Sequence, residues 1–142
     1  MQGKLITPVT TVTTNKKFLE LLIKEFTKLG HKINTGVLET TKDALLEQDE
    51  EGLANTYRQI QRELKASDFV VAEVSEPSSG VGYLLSQSVS EKKPVLVLMK
   101  KGSGTKPPLP LQVNPTKLVR FHEYSSEEEI PSIVHDFLNY IK

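Results

Sequence analysis

The chain has no cysteine, which excludes disulfides, a thiol nucleophile and thiolate zinc sites and leaves the redox compartment open. It has no excess of either charge, since eighteen basic residues balance eighteen acidic ones. No overall field therefore favours a nucleic acid polymer or an anionic membrane. No stretch approaches the roughly 20 apolar residues of a membrane span, and the first residues lack the charged-then-apolar pattern of a signal peptide. A cytoplasmic location is the expectation those exclusions leave. The histidines His31, His122 and His135 lack metal-ligand spacing and read as surface or strand-end residues. Neither a GxGxxG dinucleotide fingerprint nor a Walker loop occurs, so no metal and no cofactor is expected.

What is present suits one soluble globular domain over residues 1–142, with 37% hydrophobic and 25% charged residues. Ser67 to Met99 organises it. Phe69–Val74 and Pro94–Met99 are runs of apolar and β-branched residues without polar alternation, as expected of strands covered on both faces. Between them lie a Ser/Gly loop (Ser75–Gly82) and a short helix from Tyr83 to about Ser90. Upstream, Lys4–Val9 is a strand candidate followed by a loop rich in threonine (Thr10, Thr11, Thr13, Thr14). A helix capped by Thr14 or Asn15 follows, with Phe18, Leu21, Leu22, Phe26 and Leu29 as its buried stripe and Gly30 at its C-terminal turn. His31–Leu38 is a second strand, and Thr40–Glu51 a polar, acidic loop. Leu53, Tyr57, Ile60 and Leu64 recur at helical period within a helix over Gly52–Lys65.

Beyond Met99 runs a long Gly, Pro and Lys segment, then a strand over Lys117–Phe121. Ser126 and Glu129 have capping-box spacing, and Pro131 requires the final helix to start later than that box. Ile130, Ile133, Val134, Phe137, Leu138 and Ile141 give that helix its apolar stripe. The order β-α-β-α-β-α-β-β-α, with parallel strands joined by crossovers, reads as a doubly wound three-layer α/β domain.

Ligands of open α/β sheets sit where a loop leaves a strand's carboxyl end and opens a helix. Gly80 and Gly82 flank Val81 at such a place, with Ser78 and Ser79 just upstream. Small residues there serve a tight turn as readily as a ligand, and the two readings stand about even. Tyr83 suits stacking on a base or packing on the sheet edge. Lys100, Lys101 and Lys106 form a basic loop that reads first as solvated and second as reaching a phosphate across a dimer contact, and Glu76 reads as a solvated loop residue.

Ala66–Tyr83 (ASDFVVAEVSEPSSGVGY) closely resembles the corresponding stretch of the 2′-deoxynucleoside 5′-phosphate N-hydrolases, relatives of the nucleoside 2-deoxyribosyltransferases. The resemblance implies a flavodoxin-like (Rossmann-like) five-stranded parallel sheet, a homodimer with sites near the subunit contact, and cleavage or exchange at the N-glycosidic bond of a deoxynucleotide. It also places the site at Thr7, Pro8, Ser78, Ser79, Gly80, Val81, Gly82, Tyr83 and Leu84. The departures are specific. The family's nucleophilic glutamate follows the GVGY tyrosine, where this chain has Leu84. Its aspartate in the preceding helix aligns with Ile60, and TPVTTVTT has hydroxyls but neither glycine nor arginine for a phosphate clamp. An aliphatic side chain serves as neither nucleophile, acid nor base. Glu73, at a position where the family is also acidic, is the remaining catalytic candidate and is expected to face the pocket, although a structural role for it weighs more.

Three readings follow. The first, preferred here, is a small-molecule nucleotide- or nucleoside-binding protein with catalysis lost or much reduced. The second is an active hydrolase or transferase using a non-standard carboxylate, and the third an oligomeric module with a closed pocket.

Overall fold

A computed structural model of the protein describes residues 1–36, 47–104 and 117–142, with Val9 by its backbone alone. The sheet comprises β1 (Gln2–Ile6), β2 (Lys32–Asn34), β3 (Phe69–Glu73), β4 (Val95–Lys100) and β5 (Val119–Tyr124). All neighbours pair in parallel, in the order β2-β1-β3-β4-β5. This is the doubly wound, flavodoxin-like arrangement, and its strand order reverses between β1 and β3.

Side chains of β3 alternate between two cores. Phe69 and Val71 join Leu5, Leu96 and Leu98 on one face, beneath α2 (Lys16–Lys28) and the C-terminal helix α5 (Ile130–Ile141). Val70, Ala72 and Val74 join Ile6, Val95, Val97 and Met99 on the other, beneath α3 (Glu50–Ala66) and α4 (Ser79–Ser90). Backbone approach on the first face is close: a Cβ on Gly3 would lie 2.4 Å from the Phe69 ring. Gly30 ends α2 at φ +88°, a conformation that favours glycine.

Apart from one added short helix, the element types agree with the sequence, and the other differences lie at boundaries. β1 runs Gln2–Ile6 rather than Lys4–Val9, because Pro8 ends it and a short helix α1 (Val9–Thr14) takes over the threonine stretch expected as loop. Neither Thr14 nor Asn15 caps α2 with its side chain; Thr14 reaches Glu76 and Asn15 reaches Glu73. Leu19 is buried in α2 beside Phe18, Leu22 and Phe26, while Leu21 and Leu29 pack at the margin. β2 has three residues, and the rest of the expected strand at Val37 and Leu38 lies outside the described residues. So does most of the expected polar loop. Glu50 and Glu51 are already helical, with Asp49 capping through the Gly52 N–H at 2.7 Å.

α4 starts at Ser79, so Gly80 and Gly82 belong to its first turn and not to a loop. β5 lies at Val119–Tyr124, two residues later than expected. The capping box at Ser126 and Glu129 is present, and Pro131 falls in the first turn of α5, where proline is tolerated. Lys106 lies outside the described residues.

Candidate active site

A cavity of about 790 Å³ opens between α3 and α4, at the carboxyl end of β1 and the start of α4. Of the predicted residues, Thr7, Pro8, Ser78, Gly80, Val81, Tyr83 and Leu84 line it, together with Ile60, whereas Ser79 and Gly82 do not. The apolar stripe of α3 explains the hollow. Only Leu64 of that stripe is buried; Leu53 and Tyr57 are exposed and Ile60 half-buried. The stripe forms a wall of the cavity instead of a packing surface.

The two glycines of α4 are not demanded by its backbone, since neither has a positive φ. A Cβ on Gly82 would meet nothing within 4 Å, and one on Gly80 only the Ser78 hydroxyl at 3.8 Å. Glycine in a helix costs about 1 kcal/mol relative to alanine, so the motif is unfavourable locally and leaves open space where Gly80 borders the cavity. Ser78 caps α4 by accepting the Val81 N–H at 3.2 Å. The Tyr57 and Tyr83 rings meet at 6.1 Å. The Tyr83 hydroxyl beside Tyr57 pushes that phenol above its ordinary value.

Two charged residues in the cavity escaped the sequence reading. Lys4, only 1% exposed, points to the α3 face of β1 and its Nζ donates to Glu63 Oε2 at 2.7 Å. Glu63 Oε1 accepts from Gln59 at 3.1 Å. Burial acts to raise the Glu63 carboxyl, but the Lys4 and Gln59 hydrogen bonds and the Lys4 charge outweigh it and hold the group below its usual range. Both residues line the cavity. The pattern was readable in part: Lys4 interrupts a buried strand, and Glu63 follows Ile60 by three, on the same helical face.

Glu73 faces the other way, which corrects the expectation that it looks into the pocket. Alternation along β3 sends it to the α2–α5 face, fully buried and absent from the cavity wall. Its Oε2 accepts from Asn15 Nδ2 and Ser75 Oγ, both at 3.0 Å, and from the Tyr124 hydroxyl. Oε1 accepts from the Ser75 N–H at 2.6 Å. Burial, then the Glu73 hydrogen bond and charge, push the Tyr124 phenol upward. Tyr124 also stacks on Phe18 with ring centroids 3.9 Å apart. Asn15 and Tyr124, unmarked in the sequence, complete a satisfied internal network.

Glu76 is held and not merely solvated. Its carboxylate accepts from the Thr10 hydroxyl and, at 2.5 Å, from the Thr14 hydroxyl. Those hydrogen bonds, Thr10 first, hold it below the ordinary carboxylate range. Thr7 donates to the Glu73 carbonyl at 3.1 Å, tying the end of β1 to β3. The geometry therefore provides an apolar-walled hollow with one ion pair lining it. It can enclose a flat ring and satisfy a few polar edges, and two aliphatic side chains stand where the resemblance requires acids.

No family model matches the chain. It is 36% identical over 77 residues to the 5-hydroxymethyl-dUMP N-hydrolase of Branchiostoma floridae, covering 54% of this chain and 72% of that one. A Nematostella vectensis protein carrying the name 2′-deoxynucleoside 5′-phosphate N-hydrolase 1 is 34% identical over 98 residues, covering 65% and 67%. The rat 5-hydroxymethyl-dUMP N-hydrolase is 32% identical over 83 residues. The chain spans about half of the rat protein, 51%, and 29% of the Tetraodon nigroviridis one. Among solved structures, the Clostridium botulinum CMP N-glycosidase BcmB superposes with a TM-score of 0.69 at 14% identity, covering 96% of this chain and 99% of that one. The 2-deoxyribosyltransferase of Bacillus psychrosaccharolyticus superposes at 0.62, with 14% identity and coverage of 92% and 90%. At such identity the superpositions speak for the fold alone.

Proposed function

The chain belongs to the 2′-deoxynucleoside 5′-phosphate N-hydrolase family, and on that premise we propose that it holds a nucleotide or nucleoside in the cavity between α3 and α4 without cleaving it. The observation that carries this reading is the pair Leu84 and Ile60. Both line the cavity from facing helices, at the positions that match the family's nucleophile and its partner acid. Losing a glycosidase-type nucleophile and its acid removes several powers of ten in rate, each about 1.4 kcal/mol of barrier. The hollow itself remains open, which separates this reading from a module whose pocket has closed.

Titration calorimetry with deoxynucleosides and their 5′-monophosphates should give measurable heats, and chromatography of the same mixtures should show no free base. Release of base by the unaltered protein at rates typical of enzymes would overturn the proposal. Leu84→Glu with Ile60→Asp should raise base release at least tenfold over the unaltered chain, because both side chains already face the hollow. Exposed Tyr57 and Tyr83 in its lining, with exposed Leu53 on the same helix as Tyr57, fit a homodimer in which a second copy covers α3 and α4.

One observation favours an enzymatic reading. Glu63 is the carboxylate lining the cavity among the described residues, and its depressed pKa keeps it ionised. If base release is found, Glu63→Gln should abolish it, while Glu73→Gln should not.

A further inference from the structure

The charges around the cavity narrow the ligand class, an inference that rests on the binding proposal above. Lys4 is the cation lining the cavity among the described residues, and its ammonium is committed to Glu63 at 2.7 Å. The couple brings no net charge. Adjoining the cavity wall in sequence, α1 follows directly on the lining residues Thr7 and Pro8, and Glu76, itself outside the lining, precedes lining Ser78 by two residues. There the Thr10 and Thr14 hydroxyls, two of the donors that follow β1, both donate to the Glu76 carboxylate. Glu76 is half-buried in this position, and the two hydrogen bonds favour its charged form.

A 5′-phosphate carries close to two negative charges at neutral pH. Approaching this margin, it would meet an internal carboxylate already on the same hydroxyls, without an uncommitted cation among the described lining residues to offset the repulsion. We propose that the cavity selects uncharged nucleosides over their 5′-monophosphates, with Glu76 occupying the threonine cradle in place of a phosphate. The rat and lancelet relatives are named for a monophosphate substrate, so this chain would differ from them in ligand class as well as in its aliphatic pair.

The test is calorimetric titration of the full chain with each deoxynucleoside and its matching 5′-monophosphate, in low salt, where charge repulsion is least screened. At least one nucleoside should bind at least tenfold tighter than its monophosphate. Glu76→Gln, which keeps an acceptor for the threonines but removes the charge, should narrow that gap at least threefold. A monophosphate binding as tightly as its nucleoside, or tighter, overturns the inference while leaving the binding proposal standing. A gap unchanged in a folded Glu76→Gln protein also overturns it. Binding of neither class overturns both. The comparison in the unaltered chain stands on its own should Glu76→Gln fail to fold.

Discussion

The two faces of the sheet are built to opposite standards. Under α2 and α5 the packing is closed: Phe18, Leu19, Leu22 and Phe26 meet Ile133, Val134, Phe137 and Leu138, all nearly inaccessible. The one carboxylate buried there, Glu73, has a donor for each oxygen. Under α3 and α4 the helices stand apart around a hollow, and the α3 stripe stays exposed or half-buried except at Leu64. A carboxylate in the closed face is a structural part because water and ligand cannot reach it. On the open face Leu84 and Ile60 line the hollow beside the Lys4–Glu63 pair. Chemical character alone would have chosen Glu73 as the working acid, and its side of the sheet decides otherwise.

The contrast breaks most visibly at Glu73. Glu73→Ala would take from the interior the acceptor of the Tyr124 hydroxyl and one acceptor each from the Asn15 amide and the Ser75 N–H. At about 1–3 kcal/mol for each orphaned group, we expect a loss of about 4 kcal/mol in urea-unfolding stability. Glu73→Gln, which retains an acceptor oxygen, should lose less, and ligand binding by the folded variant should be unchanged. Leu84→Ala on the open face should cost only about 1 kcal/mol, since the half-buried side chain leaves no sealed cavity behind. Equal losses at the two positions would remove the distinction between closed and open faces.

The ion pair on the open face ranks next. Glu63→Leu leaves the Lys4 ammonium, 1% exposed, without its partner. Breaking such a pair commonly costs about 3–5 kcal/mol, and the open hollow, by admitting water, should hold the loss to about 3. Adding Lys4→Met should recover most of it, because apolar replacement of a whole pair is often neutral. The pH dependence has a definite sign. The folded Glu63 carboxyl lies below the ordinary glutamate range, so its stabilisation is complete above that range and fades as pH falls through the folded value. The unaltered chain should therefore lose stability in acid more steeply than the double variant, as read from thermal melts between pH 6 and about 3. Parallel acid limbs would show that the pair contributes nothing.

Much of the fold was legible because β3 and β4 are unbroken apolar runs, and the stripes of α2 and α5 are regular. The same runs hid which face Glu73 occupies: without polar alternation a buried parallel strand carries no mark of its sides. α1 was missed because threonine is a weak helix former, and its Thr10 and Thr14 hydroxyls meet Glu76, more than sixty residues away in sequence. Lys4 and Glu63 lie 59 residues apart, and no local period joins them. The α3 stripe was read correctly as one face, but periodicity does not say whether such a face meets a core or a cavity.

The smallest effects concern how far a disturbance spreads. Asp49→Ala removes the cap of α3, which binds the Gly52 N–H at 2.7 Å, at about 1 kcal/mol. Ile133→Val, in the closed face, costs a similar amount, about 1 kcal/mol. Their hydrogen-exchange patterns should nevertheless differ. α3 is held to the sheet chiefly by Leu64 near its C-terminal end, so its first turns can open without the rest of the molecule. Asp49→Ala should speed exchange in those turns and leave the urea midpoint almost unmoved. Ile133 packs in the cluster that joins α2, α5 and all five strands, where local opening requires global unfolding. Ile133→Val should therefore lower protection across that whole face in step with the midpoint. Should Asp49→Ala instead reduce protection throughout the sheet, α3 would be as firmly integrated as α5, and the hollow beneath it could not be treated as a separately yielding part of the fold.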